Sequence, residues 1–114
     1  MTQHEDQVRL RHMLDYSQKA VAMIQGRSRA DLDNDEMLCL ALTRAVEVIG
    51  EAATRVSQAS QQRHGQVPWP EIIGLRNRLV HGYHAVDLDI LWDIVQQDLP
   101  PLMEQLEAIL QKEI

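Results

Sequence analysis

Along most of this chain apolar residues return at three- and four-residue steps, and nowhere do they alternate with polar ones. That period fits one face of an α-helix and leaves no strand pattern of any length. Four helical segments result. The first covers about 4–25, with Val8, Leu10, Leu14, Val21 and Ile24 as its stripe and Gly26 as its stop. The polar, Asp-rich stretch 28–36 reads as a connector, with Asp33 or Asn34 as the N-cap of the next helix. That long second helix is expected over 35–63, where Met37, Leu38, Ala41, Leu42, Ala45, Val46, Ile49, Ala52, Ala53 and Val56 make a broad apolar face. Gly50 sits inside it at a cost of ~1 kcal/mol relative to Ala, so a packing reason is expected there rather than a break.

His64-Gly65 ends that helix and 66–69 form a loop. Pro70 opens the third helix from the first turn, where its missing N–H costs nothing, and the pattern carries it to about His81. Gly82 then supplies the left-handed residue that stops it. The fourth begins at an Asp87 N-cap and carries Ile90, Leu91, Ile94, Val95, Leu99, Leu102, Leu106, Ile109 and Leu110, with Pro100-Pro101 kinking or interrupting it. The expected fold is all-α: one domain over 1–114, an antiparallel bundle of four to five helices. With no Phe and only Tyr16, Trp69, Tyr83 and Trp92 as aromatics, its core must be aliphatic. Surplus apolar surface on the second and fourth helices points to a homodimer.

A net charge of −6 argues against a general electrostatic nucleic-acid binder. The charge is uneven, however. Residues 55–84 hold Arg55, Arg63, Arg76 and Arg78 against Glu71 alone, with His64, His81 and His84 beside them. This basic island is either a set of solvated helix faces or a local anion site. Cys39 alone forms no intramolecular disulfide and no thiolate zinc site. The opening residues lack the apolar core of a signal peptide and no window approaches a membrane span, so a cytoplasmic protein is expected.

Inside the island runs Arg76-Asn77-Arg78-Leu79-Val80-His81-Gly82-Tyr83. On a helix Asn77 and His81 share a face, and Arg76 and Arg78 lie within reach of it. Two readings stay open on geometry alone. His81 can be a C-terminal helix cap with Arg78 on the surface, its protonated form favoured by the negative helix pole. Alternatively, an imidazole beside a fixed cation suits metal-free RNA cleavage: His81 moves a proton at the ribose 2′-OH or the leaving 5′-oxygen, and arginine neutralises the phosphorane. Asn77 can orient either group. No HExxH or paired histidine with acid partners suggests a metal, and no Gly-rich phosphate loop or other cofactor motif is present. Glu47 and Glu51 read as carboxylates of a solvated face.

Arg76-x4-His81-x-Tyr83 resembles the signature of HepT-like proteins of the HEPN superfamily of all-α ribonucleases. The similarity extends through Ala45-Val46-Glu47-Val48-Ile49-Gly50-Glu51-Ala52-Ala53, Pro68-Trp69, Ile72-Ile73-Gly74-Leu75, Val86-Asp87 and Asp98-Leu99-Pro100-Pro101-Leu102. The resemblance implies a HEPN-type homodimer with both motifs in one cleft, and a toxin of a toxin–antitoxin pair whose partner is an MntA-like nucleotidyltransferase. It implies RNA cleavage without metal by Arg76 and His81, with Asn77 as the polar residue after the arginine. It also implies AMP transfer to Tyr83 by the antitoxin. Arg78 and His84 are further candidate RNA contacts. The rival reading is a non-catalytic HEPN subunit that holds a nucleotide or docks a nucleotidyltransferase.

Overall fold

The computed structural model describes residues 3–81 and 85–112, with the side chain of His81 excluded. Helix α1 (Gln3–Met23) buries Leu10, Met13, Leu14, Ser17 and Ala20 along one stripe, and Gly26 just beyond it adopts φ 73°, where a missing Cβ removes the steric penalty. The connector winds a single turn, α2 (Asp31–Asn34), which sends Leu32 into the core. The next N-cap is Asp35, not Asp33 or Asn34: its carboxylate accepts from the Leu38 N–H at 3.0 Å. α3 (Glu36–Thr54) buries Leu38, Leu42, Ala45, Val46, Ile49, Ala52 and Ala53. It continues through Gly50 without a break, as expected, and α5 packs there: an added Cβ would meet the Ile72 carbonyl oxygen at 3.4 Å, a contact that leaves room for a methyl group and no more.

The second helix nevertheless stops short of residue 63. Ser57 leaves the helical conformation and caps a separate helix, α4 (Gln58–Arg63), its Oγ accepting from the Ser60 N–H at 3.2 Å. The Ser57 N–H and Oγ–H both donate to the buried Asp6 carboxylate of α1, at 2.9 and 2.6 Å. A capping bond plus a buried carboxylate partner outweighs the helical period that Val56 continues in the sequence.

The third segment departs most from expectation. It divides at Gly74 into α5 (Trp69–Ile73) and α6 (Leu75–Leu79), and residues 80–81 are not helical. Val80, β-branched and at φ −97°, ψ 120°, begins a two-residue strand β1 (Val80–His81) paired antiparallel with β2 (Ala85–Val86). The register sets Val80 opposite Val86 and His81 opposite Ala85. Strands this short carry no alternation for a period-based reading to detect.

Asp87 caps α7 (Leu88–Asp93) as expected, accepting from the Ile90 N–H at 3.1 Å. A π-helical turn (Ile94–Asp98) then leads directly into α8 (Leu99–Lys112), with the Leu99 N–H bonded to the Ile94 carbonyl five residues back. Pro100 and Pro101 lack N–H groups and would crowd the carbonyls of Gln96 and Gln97 in a regular helix. The expected interruption therefore takes the form of a wider turn, not a break.

The long helices run antiparallel. Asp6 meets Ser57 at one end of α1, while Arg27 just past its other end pairs with Asp35 at 3.2 Å. On the opposite flank Ile24 lines a groove with Val95 and Pro100, and Leu14 lines another with Glu107 and Leu110. The molecule is thus mainly helical, with α1 between α3 and α8. Among the described residues Trp69 is the only aromatic of an otherwise aliphatic buried core, its Nε1–H donating to the His64 carbonyl. The apolar surplus lies on the second helix, as expected, but not on the fourth. Leu91, Ile94, Val95, Leu99, Leu102, Leu106, Ile109 and Leu110 of the fourth segment are buried within the chain itself, whereas Met37 and Leu40 of α3 stand 82% and 62% exposed and Ile73 of α5 36%.

Candidate active site

Helix α6 is only five residues long, and Leu75 and Leu79, four apart, fasten it to the core. Its remaining arc presents Arg76, Asn77 and Arg78 to solvent. Two residues along a helix turn a side chain by about 200°, so the two arginines leave on opposite sides. Arg76 reaches toward α3, its Nε 3.7 Å from the Glu47 Oε2. Arg78 donates from Nη1 to Asp98 Oδ2 of the π-turn at 2.8 Å. Arg78 thereby ties α6 to the start of α8, along a groove of about 210 Å³ that Pro68, Ile72 and Pro101 also line.

Asn77 is exposed, and its side chain makes no hydrogen bond among the described residues. Because the helix ends at Leu79, His81 does not share a helical face with Asn77 and does not sit in the last helical turn. The helix-pole argument for its protonation falls with that placement, since the effect is confined to the terminal turn. What fixes the His81 backbone instead is pairing with Ala85 and, one step along, the Asp87 N–H donating to the Leu79 carbonyl at 2.8 Å. The expected terminator Gly82, the acceptor Tyr83 and the candidate RNA contact His84 lie outside the described residues.

The basic island of the sequence is not uniform in space. Arg76 and Arg78 face carboxylates brought from α3 and the π-turn, whereas Arg55 and Arg63 have no ion pair among the described residues. Arg63 lines a groove with His64, Gln66, Ile109 and Lys112. Glu47, which the sequence pattern assigns to a solvated face, pairs with the arginine of the motif, while Glu51 one turn later pairs with Arg44 at 3.6 Å. The usable signal was Gly50: a glycine that admits α5 marks the side of α3 facing the motif, and Glu47 stands one turn before it.

Among the described residues no group of three or more His, Cys, Asp or Glu side chains converges as a metal site, and no helix is long and apolar enough to cross a membrane.

Comparison with known proteins places the chain in a family. The family described as "Ribonuclease HepT-like" matches residues 13–109, a span that contains α6, the paired strands β1 and β2, and Glu47. The protein named "Putative RNase TTE0752" of Caldanaerobacter subterraneus subsp. tengcongensis is 36% identical over 104 residues, covering 91% of this chain and 93% of its own. "Probable ribonuclease HepT" of Thermococcus cleftensis is 31% identical over 96 residues, covering 80% and 86%. "Putative RNase MJ1380" of Methanocaldococcus jannaschii is 38% identical over 76 residues, covering 67% and 70%. No solved structure gives a significant match. A helical chain with an anchored, outward-facing arginine, matched along most of its length, therefore belongs to the HepT-like ribonuclease family of the HEPN superfamily.

Proposed function

We propose that this chain is a metal-independent endoribonuclease, the toxin of a toxin–antitoxin pair, that works as a homodimer and is silenced when an MntA-like nucleotidyltransferase transfers AMP from ATP to the Tyr83 hydroxyl, releasing pyrophosphate. The observation that carries the reading is Arg76: exposed, mounted on a helix fastened by Leu75 and Leu79, and with no hydrogen bond to its guanidinium among the described residues. A guanidinium held so can take two oxygens of one phosphate.

The chemistry is a transphosphorylation. The ribose 2′-oxygen loses its proton and attacks the neighbouring phosphorus. The bond to the 5′-oxygen breaks as that oxygen gains a proton. His81 moves the proton, Arg76 neutralises the phosphorane, and the products are a 2′,3′-cyclic phosphate and a 5′-hydroxyl. Asn77 orients the reacting groups, while Arg78 and His84 are candidate contacts to flanking phosphates.

The dimer has support in α3. Met37, Leu40, Arg44 and Glu47 succeed one another at three- and four-residue steps, so the uncovered apolar stripe leads straight to the residue beside Arg76. A second copy covering that stripe brings both motifs toward one cleft. AMP on Tyr83, two residues past His81, adds negative charge and bulk that repel RNA phosphates and compete for Arg76. The test is expression of the chain alone, which should arrest growth, and then co-expression with the nucleotidyltransferase. Intact mass should then rise by AMP increments that map to Tyr83, and Tyr83→Phe should stay toxic in the presence of the antitoxin. AMP mapped to Tyr16, or full neutralisation of Tyr83→Phe, contradicts the modification.

A further inference from the structure

The groove on the Arg78 side of α6, about 210 Å³, joins apolar walls to a rim rich in hydrogen-bond acceptors. The walls include Pro68, Ile72 and Pro101. On the rim, Arg78 bonds only Oδ2 of Asp98, so Oδ1 has no partner among the described residues. Glu71 adds a second carboxylate, and Gln97 stands four residues before Pro101, which has no N–H to give its carbonyl. Among the described residues lining the groove Arg78 is the one cation, and its Nη1 is already given to Asp98.

Its position ties the groove to the motif. Arg78 is two residues from Arg76 and three from His81, and the two arginines leave α6 on opposite sides. Across a helix about 10 Å wide, that separation matches a nucleotide or two of single-stranded RNA. The groove also lies on the other side of α6 from Glu47 and the Met37–Leu40 stripe, so a second copy seated on α3 leaves it open. One wall is the π-helical turn, a local feature found frequently at functional sites.

We infer that this groove is a nucleobase subsite: it takes one unpaired base beside the scissile phosphate and favours a base that carries an amino group. The inference rests on the ribonuclease activity proposed for this chain and names the feature of the substrate that it reads. A base splayed out of single-stranded RNA offers an apolar face and a polar edge. The face packs against Pro68, Ile72 and Pro101, and the Arg78 guanidinium, held by Asp98, is a further surface for stacking. The edge meets acceptors. The amino groups of cytosine, adenine and guanine donate to Asp98 Oδ1 or Glu71, whereas uracil, with one N–H between two carbonyl oxygens, sets both oxygens against those carboxylates. A phosphate is repelled by the same pair, so the groove selects by base and not by charge. The remaining Arg78 nitrogens are left for a flanking phosphate.

Short oligoribonucleotides cleaved at one bond, with each neighbouring nucleotide varied in turn among the four bases and an abasic residue, test this on the full chain. One position should respond. There an abasic residue should raise KM about tenfold, the scale of losing one stacked base, and uracil should fall between it and the other three bases. Glu71→Gln turns an acceptor into an amide and should narrow the gap between uracil and the others without affecting the abasic substrate. Gln97→Trp fills the groove from its exposed rim and should bring every RNA to the abasic level. Glu104→Gln, exposed on α8 and outside the groove, should match the parent. Independently of cleavage, a strand with 2′-deoxyribose at the scissile position should shift the Ile72 methyl resonances, and its abasic counterpart should not. Equal KM for all substituents at every position overturns the inference, as does a preference for uracil or an unshifted Ile72. A Glu71→Gln that keeps the full gap overturns the selection by amino group. A chain that shifts Ile72 but cleaves no RNA sinks the proposed function and keeps the subsite, and a chain that cleaves without base dependence sinks the subsite alone.

Discussion

At the scale of single residues, three carboxylates do different work that the sequence displays unequally. Asp87 stands before an apolar helix with Asp89 just inside it, so its capping role is visible in composition and order. Glu47 and Asp6 act only through partners far along the chain, Arg76 and Ser57, and no local pattern announces either. The run Arg76-Asn77-Arg78 was legible because its polar residues interrupt an apolar segment, while only the family resemblance singled out Arg76. Its separation from Arg78 was not legible, since that depends on which neighbour each side meets. Asp35 allows a test of pH dependence. The Leu38 N–H, and after it the Arg27 guanidinium, hold the Asp35 carboxyl below its ordinary range. A depressed folded-state pKa stabilises above the unfolded value, about 3.9, and that contribution disappears as pH falls through the folded one. Urea midpoints should therefore drop below about pH 4, with a shallower drop in Asp35→Asn, which still caps α3 but carries no charge. Equal slopes for parent and variant would assign the acid sensitivity to other carboxylates.

At the scale of elements, the helices that kept their apolar period, α1, α3 and α8, were readable, and the segments that broke it were not. Val56 keeps the stripe of α3 going, yet Ser57 turns the chain because a buried carboxylate waits for its N–H and hydroxyl. Residues 70–81 keep a helical pattern too, but Gly74 and the β-branched Val80 divide them into two short helices and a strand. This matters for the site, because a continuous helix would have put His81 in line with Asn77. The joint at Gly50 offers the prediction at this level. Gly50→Leu places a branched side chain against the Ile72 backbone and should destabilise the fold by roughly 1–3 kcal/mol, the range for overpacking, while also lowering RNA cleavage by displacing α5 and α6. Gly50→Ala brings only a contact at 3.4 Å and a gain in helix propensity, so its stability and activity should lie close to the parent. Wild-type stability in Gly50→Leu, read by thermal unfolding, would mean that α3 does not set the position of the motif.

At the scale of the whole molecule, the aliphatic, mainly helical core results from a composition without Phe, but the uncovered surface does not result from any count of apolar residues. The fourth segment spends its whole apolar face on α1 and the core, and the surplus gathers at Met37 and Leu40. If a second copy covers that stripe, Leu40→Glu should convert a dimer into a monomer by light scattering, keep the helical circular dichroism, and lose most RNA cleavage. A Leu40→Glu dimer with full activity would place the contact elsewhere. Ends of RNA report on the central claim more directly than any of these. RNA incubated with the purified chain in EDTA should acquire 2′,3′-cyclic phosphate and 5′-hydroxyl ends, read by mass spectrometry. Losing a proton-transfer group typically costs ~10²–10⁴ in rate, so His81→Ala should yield almost none, as should Arg76→Ala, while Arg78→Ala retains cleavage. Undiminished cyclic-phosphate formation by His81→Ala, or cleavage that appears only with a divalent ion, would contradict the account.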